Sequence, residues 1–311
     1  MVDGTDEPTA RRPSLARRVG VFLVDNPLTR VVVGMFLVGV AATWAQRAGR
    51  MLPTVGGVSP STLAGAAAAL AGYALFVWLY ERRRPSELGV VGLAKWLPAG
   101  FALGAALLLG SAALIHAGGW SIVARTADRE AWARLVATAL VVQLGVAVLE
   151  EMLFRGVVFR VVERSLGSWL ALGLSAVIFG LIHAGNPNAT WWAALGLALQ
   201  AGVLLGAAYL ACRSLWLPIG IHWGWNAIQA GVVGGTVSGH TTKSVWTLEP
   251  AGPEILSGGA FGLEGSIVAT TLCAALAVVF CVIAVRRGQI QPGFWARGES
   301  RREEPVAAAE V

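Results

Sequence analysis

The stretch Ala139–Val162, ALVVQLGVAVLEEMLFRGVVFRVV, decides how this chain reads. It is apolar enough to cross a bilayer, yet Glu150 and Glu151 stand side by side within it, and Arg155 follows four residues after the second. A charged side chain near the bilayer centre costs about 2.5 to 3.5 kcal/mol even on lenient scales, so carboxylates in a span mark function. On a helix Glu151 and Arg155 face one another with the acid N-terminal, the better order for an ion pair. Glu150 is rotated by about 100° from its neighbour and points elsewhere. The spacing predicts one glutamate neutralised locally and one left over. The alternative is that both share Arg155 or reach back to the cytoplasm.

Composition fixes the class around that stretch. Of 311 residues 56% are hydrophobic and 14% charged, with a mean hydropathy of +0.65. Soluble domains are nearer 25% charged, roughly. Eight apolar stretches approach the length needed to cross about 30 Å of hydrocarbon. They run from Thr29 to Ala45, Ser61 to Tyr80, Leu97 to Gly118, Leu135 to Arg164, Ser168 to Ala184, Trp191 to Cys212, Leu215 to Gly235 and Gly265 to Val285. The expected fold is all-α, a polytopic membrane protein of about eight transmembrane helices. Tryptophans such as Trp44, Trp78, Trp96, Trp120 and Trp216 fall at the ends of these stretches, where amphipathic rings meet the headgroups.

Cations set the orientation. With a cytoplasmic N-terminus, the inner segments hold eighteen of the 24 Lys and Arg, including the run Arg82-Arg83-Arg84 directly against a span. Both termini are therefore expected in the cytoplasm. The division is a tail over 1–28, helices over 29–134, a core over 135–236, an extracytoplasmic loop over 237–264, a last helix over 265–285 and a tail over 286–311. The ends, 1–15 and 296–311, read as disordered. The sequence pI near 9.9 is explained by topology and attraction to anionic headgroups, so the bilayer is the partner and nucleic acid is not. The Arg17-Arg18 pair precedes an apolar run that stops at Asp25 without a cleavage site, and reads as an uncleaved tail. Cys212, Cys273 and Cys281 lack metal or disulfide spacing and read as small buried hydrophobes.

Two of the four histidines fall inside spans in helical register with other notable residues. Phe179 and His183 share one face, as do His222 and Asn226. A short turn at Leu166-Gly167 joins the fourth and fifth stretches, placing Glu150 and His183 at similar depth, roughly 23 Å from the turn. His222 comes only nine residues after Arg213. It reaches that level only if the connection SLWLP around Pro218 is itself buried. His116 and His240 lie near outer loops without such company.

A carboxylate and an imidazole converging on one water can take its proton as it attacks a carbonyl, while a second imidazole and an amide donate to the oxyanion. That is hydrolysis without a protein nucleophile. Glu150-Glu151-Met-Leu-Phe-Arg155, Phe179-Gly-Leu-Ile-His183 and His222-Trp-Gly-Trp-Asn226 together resemble the ordered motifs EExxxR, FxxxH and HxxxN of the CPBP family of intramembrane proteases. That family, also called Abi or CAAX-protease, includes type II CAAX prenyl endopeptidases and bacteriocin-immunity proteins. The resemblance spans about Leu135 to Ala230. It implies that Glu150 and His183 activate water, that His222 and Asn226 stabilise the oxyanion, and that Glu151, Arg155 and Phe179 support them.

Members are often called metalloproteases, and Glu150, His183 and His222 could instead hold zinc. HExxH is absent and an Asn amide is a poor zinc ligand, so the preferred reading needs no cofactor. The expected substrate is a membrane-associated peptide or protein. An Ala-, Gly- and Arg-rich composition with only Lys95 and Lys243 as lysines suggests a GC-rich bacterium and its plasma membrane. A transporter, an immunity protein or a scaffold would also carry intramembrane charge, with Gly202 and Gly206 as packing glycines, but transporter-like repeats are not evident. Ser175 in Gly173-Leu-Ser175-Ala176 suits a serine protease less well than a hydroxyl bonded within its own helix.

Overall fold

In hydrocarbon no water satisfies backbone N–H and C=O groups, so apolar stretches of this length fold as helices. The structure, a computed structural model, describes residues 26–55, 58–125, 128–293 and 295. The two tail segments read as disordered and the Arg17-Arg18 pair lie outside the described residues. Every one of the eight stretches is helical. The helices are α1 Pro27–Gly49, α2 Ser61–Glu81, α3 Val90–Ala117, α4 Arg129–Leu166, α5 Ser168–His183, α6 Trp191–Cys212, α7 over 216–233 and α8 Ile267–Arg286. The protein is an all-α, polytopic membrane protein. Asn26 caps α1, accepting from the Leu28 N–H at 2.9 Å, with Pro27 at the first helical position.

Six of these helices are long and apolar enough to cross a membrane, among the described residues. The other two differ for physical reasons. Helix α5 has 16 residues, about 24 Å at 1.5 Å per residue. Helix α7 carries His222, Asn226 and Gln229, which lower its hydropathy, and nearly all of it is buried. A helix surrounded by protein need not be apolar enough for lipid.

Successive helices alternate in direction, giving the bundle two unlike ends. At one end Glu81 pairs with Arg160 at 2.7 Å and Arg164 at 2.9 Å, and Glu163 pairs with Arg213 at 2.6 Å. At the other, strands β1 (Ser121–Arg125) and β4 (Trp246–Pro250) pair antiparallel with Ser121 opposite Pro250, and β2 (Thr236–Val237) pairs with β3 (His240–Thr241). The α4–α5 turn is made at Gly167, φ 88°, where a Cβ would stand 2.8 Å from the Gly293 nitrogen. Ser214 and Leu215 are buried and the Leu215 N–H bonds to the Glu87 carbonyl at 3.0 Å. The SLWLP connection therefore starts α7 inside the protein, which lifts His222 to its required depth.

Helices α3 and α7 touch backbone to backbone. A Cβ on Gly104 would lie 2.0 Å from the Ile221 carbonyl oxygen, and one on Gly224 would lie 2.1 Å from that of Phe101. Close approach through small residues is how membrane helices gain contact without a hydrophobic driving force. Gly202 and Gly206 serve likewise, against the Ala176 Cα and the Leu172 side chain.

Candidate active site

Helix α4 presents the glutamate pair, and its hydrogen bonding widens to π-helical over Met152–Phe159, immediately after it. Such single π turns inside α-helices cluster at functional sites because they re-aim the side chains that follow. Glu151 is fully buried and its Oε1 accepts from Arg155 Nη1 at 2.9 Å. The same oxygen receives His222 Nδ1–H at 3.0 Å. Arg155 Nη2 reaches the carbonyl oxygens of Ala201 and Gly202, the latter at 3.1 Å, in a second π-helical turn, Ala198–Val203 of α6. Glu151 is thus neutralised locally, as its spacing predicts, and it also orients a histidine 71 residues away.

Glu150 keeps a side-chain exposure of 24% and meets two imidazoles. Its Oε2 lies 3.8 Å from His183 Nε2 and 4.0 Å from His222 Nε2. His183 Nδ1–H donates to the Phe179 carbonyl at 2.8 Å, and the two rings stack with centroids 4.3 Å apart. The Arg155 guanidinium carbon sits 5.0 Å from the Phe179 ring centroid, a cation–π contact. Because a carbonyl only accepts, His183 Nε2 carries the lone pair. His222 Nδ1 is likewise a donor to Glu151, so its Nε2 donates only when the ring is imidazolium. Asn226 Nδ2 donates to Gln143 Oε1 at 3.3 Å.

Glu150, His183, His222 and Asn226 all line one cavity of about 560 Å³. Four side chains from α4, α5 and α7 are therefore brought together, with Phe179 in the wall and Glu151 and Arg155 behind it. His240, expected to lie apart, also lines this cavity, because the β2–β3 hairpin contributes Val237, Ser238 and His240 to its wall. Ser175 is buried in α5 without the expected bond to its own helix, and no hydrogen-bond partner is found for its hydroxyl among the described residues. Sequence reasoning missed Gln143, Gln200 and Glu264, which line the cavity too. Gln143 carried a usable signal, since it precedes Glu150 by two helical turns on the same face. Glu264 carried none, being an ordinary acidic residue in a loop.

The Glu150, His183 and His222 set has donor types suited to a divalent ion. Among the described residues no three His, Cys, Asp or Glu side chains are grouped so as to hold a metal.

A polytopic bundle with these paired motifs in three neighbouring helices has the form of an intramembrane endopeptidase. Residues 132–228 match the family model described as Rce1-like, type II CAAX prenyl endopeptidase Rce1-like, which is the family the three motifs resemble. No curated protein and no solved structure matches the chain. The matched segment begins in the first turn of α4 and ends within α7, so it covers Glu150, Phe179, His183, His222 and Asn226.

Proposed function

We propose that this protein hydrolyses a peptide bond of a membrane-associated peptide or protein within the bilayer, with Glu150 as the general base. The observation that carries this reading is the approach of Glu150 Oε2 to both His183 Nε2 and His222 Nε2 on the wall of one cavity. Water bound between Glu150 and the His183 lone pair loses a proton to Glu150 as its oxygen attacks the carbonyl carbon. Negative charge develops on the carbonyl oxygen, which accepts from Nε2–H of the His222 imidazolium and from the Asn226 amide. Glu150 then passes its proton to the leaving nitrogen, the C–N bond breaks, and a carboxylate and an amine are released. Glu151 holds His222 in the orientation this requires, and its carboxylate favours the imidazolium that donates from Nε2. The bacterial plasma membrane is the setting that the composition supports.

The test is cleavage of membrane peptides by the reconstituted protein. Glu150→Gln and His183→Ala should each lower kcat by at least about 100-fold, the usual worth of a positioned base. Wild-type activity should survive exhaustive chelation. If both variants cleave like wild type the base assignment fails, and if chelation abolishes cleavage and zinc restores it, a metal performs the activation.

A further inference from the structure

The same cavity holds a second polar group, at the strand-bearing end, that the hydrolytic step does not use. Glu264 lies just before α8 and is 2% exposed. Its Oε2 accepts from Gln229 Nε2 at 2.9 Å, and its Oε1 from the Ser238 N–H at 3.2 Å and the Ser238 hydroxyl at 3.4 Å. All of these partners are neutral donors. Burial pushes the Glu264 carboxyl up from the usual carboxylate range, as befits an acid whose hydrogen-bond donors among the described residues are neutral.

The two glutamines beside it have spent their donors. Gln200 Nε2 gives its hydrogens to the Glu264 carbonyl at 2.6 Å and to Thr270 Oγ1 at 2.8 Å. Thr270 in turn donates to the Ser266 carbonyl at 2.9 Å. Gln229 Nε2 gives its hydrogens to the Thr236 carbonyl at 2.6 Å and to Glu264. Reversing either amide would set its oxygen against acceptors, so both orientations are fixed by their partners. What remains is acceptor capacity alone: among the described residues the buried oxygens Gln200 Oε1 and Gln229 Oε1 have no hydrogen-bond partner, beside a carboxylate. Gln200, 3% exposed, and Glu264 both line the cavity. Buried acceptors left unpaired cost free energy, and a donor-rich cation relieves that cost.

From this, and resting on the endopeptidase reading, we infer that Glu264 and Gln200 form a cation subsite, with Gln229 behind the carboxylate holding it in place. It receives the ammonium or guanidinium of a basic residue in the substrate while the scissile bond lies at Glu150. The subsite selects which membrane peptides are cut. It belongs to recognition rather than to the bond-breaking step, and the π-helical turn of α6 connects the two. Gln200 on that turn reaches Glu264, while Ala201 and Gly202 hold Arg155.

The experiment uses the full reconstituted chain and paired apolar Leu/Ala membrane peptides that differ at one position, Lys against norleucine, scanned across the sequence. At one position Lys should raise kcat/KM by about tenfold, the scale of a desolvated charge pairing. Glu264→Gln should bring that Lys-to-norleucine ratio to near one. A binding arm in the Glu150→Gln background measures dissociation constants for the same pairs, with the same ratio expected. A wild-type chain that cleaves none of the peptides, with the Lys binding preference intact, would sink the catalytic reading but not the subsite. Equal treatment of Lys and norleucine at every position by the wild-type chain overturns the subsite, even if Glu264→Gln does not fold. So does a Glu264-dependent stabilisation by Na⁺ or K⁺ without peptide discrimination, which would make the pocket an inorganic ion site.

Discussion

Two adjacent carboxylates of identical chemistry occupy very different surroundings. Glu151 is fully buried and shared between Arg155 and His222, whereas Glu150 opens to the cavity and faces two imidazole nitrogens. Removing one member of a buried ion pair strands the other charge, at a cost of about 3–5 kcal/mol. Glu151→Gln should therefore destabilise the protein by that amount in equilibrium unfolding from detergent micelles. Glu150→Gln, at a partly exposed site, should stay within about 1 kcal/mol of wild type while losing cleavage. Equal stability of the two variants would show that the pair is not divided in this way.

At the level of elements, the site depends on where α7 stands. His222 and Asn226 ride on a helix whose backbone lies against α3 at Gly104 and Gly224, with no room for a Cβ. Gly224→Ala should push α7 outward and displace both side chains without altering either. A misplacement of about 1 Å in a catalytic constellation costs roughly 100-fold in rate. The variant should accordingly lose about that much kcat while its far-ultraviolet dichroism stays helical. Retained activity would mean that the contact yields. The pairing of Glu151 with Arg155 was legible from spacing because i,i+4 neighbours are fixed by the helix itself. The π-helical turns at Met152–Phe159 and Ala198–Val203 were not. Arg155 in the first reaches carbonyls in the second, a contact between helices with no local signature.

For the whole molecule, the two ends of the bundle differ in chemistry. The end bearing Arg82, Arg83, Arg84, Arg160, Arg164 and Arg213 is knitted by buried carboxylates, and the other end carries the strands. By the positive-inside rule the arginine-rich end is expected to face the cytoplasm. In intact cells an impermeant thiol reagent should label Thr241→Cys, an exposed position in β3, and should spare Arg84→Cys, exposed at the opposite end, until the membrane is opened. Reversed labelling would invert the orientation.

The sequence by itself determined that the chain spans a membrane as a helical bundle, because hydropathy and the backbone's need for internal hydrogen bonds are local properties. It also determined which residues are candidates, through motifs whose spacing matches the helical period. Only the tertiary structure decided that His222 binds Glu151 as well as facing Glu150, that α7 is buried in protein, and that Glu264, Gln200 and Gln229 meet at the far end of the cavity. Those outcomes rest on contacts between residues tens of positions apart. They follow from how small-residue surfaces let helices approach, which no stretch of sequence specifies alone.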